Sequence, residues 1–218
     1  MMPTVALPVL IATKNPHKAG ELAALTSGLA GALPAALPLA ALPLAEWEAR
    51  NGRLLPAPEE NGRTLAANAL LKARAYALAT GLVALADDSG LAVPALGGAP
   101  GVYSARLGGL GLSDRERCLL LIRLMRARRY RRAFFITVLA LARPDGRHIL
   151  WQGRLAGRLT RAPAGLNGFG YDPIFRPCAS PLTLAQMSPA QKNAVSHRAR
   201  AARAFLADEP RVRAFLEL

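Results

Sequence analysis

Residues 82–86, Leu-Val-Ala-Leu-Ala, form a short apolar run that is followed at once by two adjacent carboxylates, Asp87 and Asp88, and then by Ser89 and Gly90. The run reads as a buried strand. Carboxylates at the end of a buried strand are costly to desolvate unless a cation compensates them. Mg²⁺ suits such a place, because it takes one or two carboxylates together with substrate phosphates. The competing reading is an Asp-Asp-Ser-Gly surface turn, since all of these residue types favour turns. Four other segments bear on the choice.

Val9 to Ala12 reads as a short inner strand, and the chain from Pro16 onward is helix-forming. Between them lie Thr13, Lys14 and Asn15, with His17 and Lys18 just beyond. A strand, a short polar loop with lysines and a helix N-terminus together make an anion site, although the spacing is not that of a Walker A loop. Farther along, Thr64 is a plausible N-cap and Gly81 a plausible stop, so a helix of about four turns fits between them. On it Asn68 and Lys72 are four residues apart and share one face. Lys72 there is either a point charge for a phosphate or a solvated lysine.

The third segment runs Gly165-Leu-Asn-Gly168-Phe169-Gly170-Tyr171-Asp172. Its glycines allow close approach to a ligand, and Phe169 offers either a stacking face for a base or a plug that holds the loop to the core. In the fourth segment Ser196 reads as the N-cap of a final helix from Arg198 to about Ala207, with Lys192 upstream. His197 and Arg198 at that helix start can donate hydrogen bonds to a carbonyl or phosphate. No Gly-x-Ser-x-Gly elbow accompanies them, so a Ser/His/Asp hydrolase is not indicated.

In this order and spacing, the five segments resemble the inosine triphosphate pyrophosphatase family, also called the dITP/XTP pyrophosphatases. The resemblance rests on Ala12-Thr13 with Asn15 and Lys18, on Glu60 to Gly62, and on Asn68-Ala69 with Lys72-Ala73. It continues through Ala86 to Arg106, Gly168 to Phe175, and Lys192 with Ser196 to Arg198. It implies an α/β fold, an elongated mixed sheet flanked by helices, with two lobes and a central nucleotide cleft. It also implies Mg²⁺-dependent hydrolysis of non-standard purine nucleoside triphosphates to the monophosphate and pyrophosphate. Glu60 and Asp88 would hold the metal, helped by Asp87 or Glu59, and Asp88 would be the catalytic base. Thr13, Asn15, Lys18, Lys72, Ser89 and Lys192 would surround the triphosphate. Phe169 would stack on the base, His197 and Arg198 would donate to it, and Asp172 would fix the loop or a ring N–H, while Lys14, Pro16, His17, Gly170 and Tyr171 would also contact the substrate. The family further implies a homodimer. One departure is local: the family's Thr-Phe-x-Glu-Asn is Thr64-Leu-Ala-Ala-Asn68 here.

Composition sets the remaining bounds. With 52% hydrophobic residues over 218 positions, a single domain spanning residues 1–218 can bury a core. The apolar stretch from Leu29 to Ala45 is interrupted by Pro34, Pro38 and Pro43, so it reads as a loop with short extended pieces rather than a membrane span. No signal peptide is expected at the N-terminus, and Cys118 and Cys178 make no disulfide framework, so a reducing cytoplasm is expected. Cys118, among leucines, reads as a buried thiol. The net charge is +14, and of 28 basic residues only four are lysines, all inside the motifs above.

The arginines are dispersed along the sequence, with one cluster from Arg126 to Arg132. A chain this basic attracts polyanions without specificity. That sets up a nucleic-acid-binding module as the competing class, but neither zinc-finger spacing nor an aromatic-rich RNA-binding pattern is present. A pyrophosphatase for other modified nucleotides is the alternative within enzymes. Elsewhere, Ser113 and Glu116 read as a capping box opening a helix to about Arg128. Ala133–Ala142 and His148–Leu159 read as a long hairpin around Arg143–Arg147.

Overall fold

The computed structural model describes residues 6–30 and 38–218. In chain order the strands are β1 (Leu7–Ile11), β2 (Leu39–Pro43), β3 (Val83–Ala92), β4 (Pro100–Gly101), β5 (Arg132–Ala142), β6 (His148–Leu159) and β7 (Phe175–Pro177). The helices are α1 (Pro16–Ala30), α2 (Leu44–Asn51), α3 (Leu65–Thr80), α4 (Asp114–Leu124), α5 (Pro189–Val195), α6 (His197–Ala207) and α7 (Glu209–Leu216). The strands form one sheet in the order β2-β1-β3-β5-β6-β7, with β4 beside β3. It is a mixed α/β sheet: β2, β1 and β3 run parallel, whereas β4 and β7 pair antiparallel to β3 and β6.

The chain divides into two compact units. Unit 1 comprises Met1–Asp88, Val138–Gly153 and Ala201–Leu218, and unit 2 comprises Ser89–Thr137 and Arg154–Arg200. In unit 1 the parallel strands require crossover connections, which α1 supplies between β1 and β2, and α2 with α3 between β2 and β3. Helix α3 starts where Thr64 accepts a hydrogen bond from the Ala67 N–H and stops at Gly81, whose φ of 71° is left-handed. Its alanines, Ala69, Ala73 and Ala77, allow close packing in a core with Leu10, Leu44, Tyr76, Ala84 and Val138.

Unit 2 has its own core, built from Leu91, Cys118, Leu121, Met125, Phe135, Leu155 and Phe175 among others. The capping box of Ser113 and Glu116 opens α4 as its sequence predicts. That helix ends at Leu124, short of the expected Arg128, because the chain leaves helical geometry after Met125. Arg131 then fixes the connection to β5 by donating to the carbonyls of Met125, Leu159 and Thr160 at 2.9, 2.9 and 2.7 Å.

Three other expectations are corrected. Asp87, Asp88, Ser89 and Gly90 form no turn; they lie inside β3, where pairing with neighbouring strands overrides local turn preference. The stretch from Leu29 to Ala45, expected as a loop with short extended pieces, does hold one such piece in β2, but it also holds the end of α1 and the start of α2, while residues 31–37 lie outside the described residues. The expected final helix is not the last, since α7 follows α6. Among the described residues no helix is long and apolar enough to cross a membrane.

Candidate active site

In unit 1 the loop from β1 into α1 is tied down by its own polar side chains. Asn15 caps the helix, its Oδ1 accepting from the N–H groups of His17 at 3.0 Å and Lys18 at 3.2 Å. The Asn15 N–H in turn donates to Thr13 Oγ1 at 3.2 Å. The positive end of α1 is thereby held at this loop. Pro16 and His17 are exposed at the helix start.

Neighbouring residues of a strand point to opposite faces, and Asp87 and Asp88 meet different helices accordingly. On one face Lys18 Nζ of α1 lies 3.3 Å from Asp87 Oδ2. On the other face α3 presents Lys72, whose Nζ lies 3.2 Å from Asp88 Oδ1 and 3.0 Å from Glu60 Oε1. Asn68, one turn earlier, donates to Asp88 Oδ2 at 3.4 Å and accepts the Gly62 N–H at 2.7 Å. A side chain at residue 62 would collide with Asn68, which accounts for the glycine after Glu60.

Both Asp87 and Asp88 are buried, at 1% and 6% exposure. Burial holds the Asp88 carboxyl above its ordinary value, and the neighbouring Glu60 adds to this, although Lys72 and Lys18 pull the other way. Burial works against the charge of Lys72 as well, but Asp88, Asp87 and Glu60 outweigh it and hold the ammonium above its ordinary value. The cluster is therefore a place where positive charge is strongly favoured.

Among the described residues no three His, Cys, Asp or Glu side chains gather into a ready-made metal centre. Two hard oxygen donors, Asp88 and the half-open Glu60, converge on one ammonium. Two carboxylates with room for water and phosphate suit Mg²⁺ and would be poor for a soft metal, so the residues fit that ion. Lys14 stands apart from this cluster: it pairs with Glu48 of α2 at 2.5 Å. That contact, followed by the Leu55 N–H, holds the Glu48 carboxyl below its ordinary value.

Unit 2 gathers the second set. Asp172, 2% exposed, accepts from the Phe169 N–H at 3.0 Å and from Lys192 Nζ at 2.6 Å through the same Oδ2. Lys192 also sits over the Phe169 ring at 4.6 Å, and the Arg198 guanidinium lies 5.6 Å from it. Gly168, with φ 75°, leaves room for the Asp172 carboxylate that a side chain there would fill. Arg198 is 1% exposed and donates to Ser89 Oγ at 3.2 Å, and Ser89 in turn shares a 2.7 Å hydrogen bond with Thr137. His197 stacks on Phe135, with centroids 4.5 Å apart.

The structure thus assembles Lys18, Lys72, Glu60, Asp87 and Asp88 as one cluster and Ser89, Phe169, Asp172, Lys192 and Arg198 as another. Tyr171 has a framework role: it is buried and its hydroxyl donates to the Ser104 carbonyl at 2.8 Å. Gly170 is held at both ends of its peptide groups, its N–H on Asp114 Oδ2 at 2.6 Å and its carbonyl accepting Cys118 Sγ–H at 3.3 Å. Thr137, Asp114 and Cys118 escape sequence reasoning. Thr137 looks like one more β-branched strand residue, and only the i, i+4 spacing of Asp114 and Cys118 hints that they share a face.

Known proteins share this sequence and this fold. Residues 9–208 match the profile of the Ham1 family. A dITP/XTP pyrophosphatase of Deinococcus radiodurans is 47% identical over 199 residues, 91% of each chain. Another of Thermus thermophilus is 46% identical over 200 residues, 91% of this chain and 89% of its own. Among solved structures, a HAM1 protein from Coxiella burnetii superposes with a TM-score of 0.80 at 35% identity, covering 94% of this chain and 99% of that one. A dITP/XTP pyrophosphatase from Mycobacterium abscessus gives a TM-score of 0.69 at 38% identity, covering 92% and 98%. With family profile, sequence and fold in agreement over nearly its whole length, the chain belongs to the Ham1 family.

Proposed function

We infer that the protein is a dITP/XTP pyrophosphatase, hydrolysing non-standard purine nucleoside triphosphates to the monophosphate and pyrophosphate. The observation that carries this reading is the buried Asp88 carboxylate held between Lys72 and Asn68, with Glu60 on the same lysine. Such a cluster has the charge to receive a metal-bound polyphosphate and a carboxylate to activate water. Asp88 and Glu60 would hold Mg²⁺, which would supply Lewis-acid neutralisation of phosphate charge. Asp88 orients the attacking water and accepts its proton. Lys18 and Lys72 add fixed positive charge, while the α1 N-terminus, shaped by Thr13 and Asn15, offers N–H donors.

The set in unit 2 takes the base in this reading. Phe169 provides the stacking face, Asp172 and Lys192 fix its loop, and Arg198 donates toward a 6-keto oxygen, with His197 beside it. Residues 1–218 then make one catalytic domain, acting as a homodimer in the cytoplasm on the nucleotide pool. The test is pyrophosphate release from ITP, XTP, dITP, GTP, ATP and dUTP with and without Mg²⁺. Preference for ITP, dITP and XTP, lost on chelation, supports the reading. Equal turnover of ATP, or preference for dUTP, overturns it.

A further inference from the structure

The arginines that look dispersed along the sequence are segregated in space. Unit 1 holds twelve Lys and Arg against eleven acids and is nearly neutral, whereas unit 2 holds sixteen against three. Those three acids are all engaged elsewhere. Asp114 holds the Gly170 N–H, Glu116 caps α4 through Ser113, and Asp172 holds Lys192.

One face of unit 2 concentrates the excess. Arg132 and Phe134 alternate on β5 and Arg154 and Arg158 on β6, and the Arg154 guanidinium lies 3.7 Å from the centre of the Phe134 ring, so these positions share a face. Arg158 stands directly opposite Arg176 of β7 in the antiparallel register. Like charges in that position cost stability rather than contribute it, unless an anion lies across them. Beside β5, the link of Arg126, Arg128, Arg129 and Tyr130 is exposed yet anchored by the buried Arg131. Tyr130 is 79% exposed, an aromatic ring in open solvent among guanidinium groups.

We propose that this face, comprising Arg132, Arg154, Arg158 and Arg176 with Tyr130 at its edge, docks a single-stranded polynucleotide. Its phosphates lie along the arginines and an unpaired base stacks on Tyr130. Charge complementarity selects a polyanion, and the exposed ring selects single strands, because duplex bases have no free π-face to offer it. None of these residues belongs to the clusters assigned to hydrolysis, so docking and hydrolysis are separable.

The test is fluorescence anisotropy of a fluorescein-labelled oligothymidylate of about 20 nucleotides, titrated at several salt concentrations. The wild-type chain is expected to bind, with log Kd rising as log salt rises. In R154E/R158E/R176E affinity falls at least about tenfold, and the magnitude of the salt slope drops by about 2, since each single-strand phosphate contact contributes roughly 0.7. Y130A weakens single-strand binding and removes the preference over a duplex of equal length. ITP hydrolysis and melting temperature, unchanged in the variants, show an intact fold; where the triple variant melts early, the milder R154Q/R158Q/R176Q carries the same test. Unchanged affinity and slope overturn the proposal. Equal binding of duplex and single strand, or binding only to vesicles of anionic lipid, does so as well.

Discussion

Lys72 and Asp88, sixteen residues apart in sequence, meet at 3.2 Å because α3 packs its Asn68–Lys72 face onto the strand that carries the carboxylate. The pair shares one electrostatic problem. Each group is buried, and each makes the charge of the other tolerable.

Replacing Asp88 by Asn keeps the shape and an acceptor oxygen for Asn68 while removing the proposed base and one of the oxygens proposed to bind the metal. Turnover is expected to fall by on the order of 10²–10⁴, the range for losing a positioned acid–base group. Circular dichroism and the melting transition should stay native. Full activity in this variant would remove Asp88 from the chemistry.

Lys72→Ala is expected to lower kcat by on the order of 10²-fold if the ammonium acts as a preorganised charge. It also has a pH signature. The Asp88 carboxyl already lies above its ordinary value through burial, and Lys72, more than Lys18, restrains it. A base works only when ionised, so removing Lys72 should move the acid limb of the kcat/KM profile to higher pH. A profile whose acid limb stays fixed would separate Lys72 from Asp88.

Arg198 lies wholly buried, bonded to Ser89 and facing the Phe169 ring. A donor there that meets the 6-amino group of adenine is left unpaired, at a cost of about 1–3 kcal/mol. Arg198→Ala should therefore shrink the ITP-to-ATP preference by roughly tenfold to a hundredfold. The ITP-to-GTP preference should change less, because guanine carries the same 6-keto group. If the variant still rejects ATP as strongly as the wild type, Arg198 does not read the base.

Much of this site can be read from the sequence, and the reasons differ by residue. Thr64, Gly81, Ser113 and Glu116 announce helix ends because capping is a local interaction, and all four hold in the structure. The strand through Asp87 and Asp88 is harder to read: its four polar and glycine residues have turn preference, and only pairing with distant strands overrides it. Lys14 resembles Lys18 in sequence yet pairs with Glu48, a partner thirty-four residues away that nothing local indicates. Helix α5, opened by Ser188 and Gln191, carries a capping box that was there to be read. The charge imbalance between units is invisible along the chain because each unit is assembled from separate segments.

The loop that carries Phe169 is held from below by α4, through Asp114 on the Gly170 N–H. A hydrogen bond to a charged group is worth about 1.5–3 kcal/mol, less here because the Asp114 side chain is 56% exposed. Asp114→Ala should raise KM for ITP about fivefold, by the part of that energy that survives solvent, with kcat nearly unchanged. Asp114→Asn, which keeps an acceptor oxygen, should recover most of the loss. A fall in kcat with constant KM would show that the contact does not position the base.

Cys118 supplies the other half of that support and gives a direct readout of the loop. Its thiol is 1% exposed and donates to the Gly170 carbonyl, and burial pushes it up to about 12, with Asp114 and Asp172 adding to the effect. At pH 8 the reactive thiolate is then only about one part in ten thousand, before access is considered. Cys178, in contrast, is exposed. Native protein treated with iodoacetamide at pH 8 should therefore take up one equivalent, found at Cys178 by peptide mass spectrometry, and a second only after denaturation. In Asp114→Ala the loop loses its tie at the Gly170 N–H, so Cys118 should label faster than in the wild type, and ITP should slow it again. Labelling of Cys118 in the native wild type as fast as Cys178 would mean that α4 does not hold this loop closed.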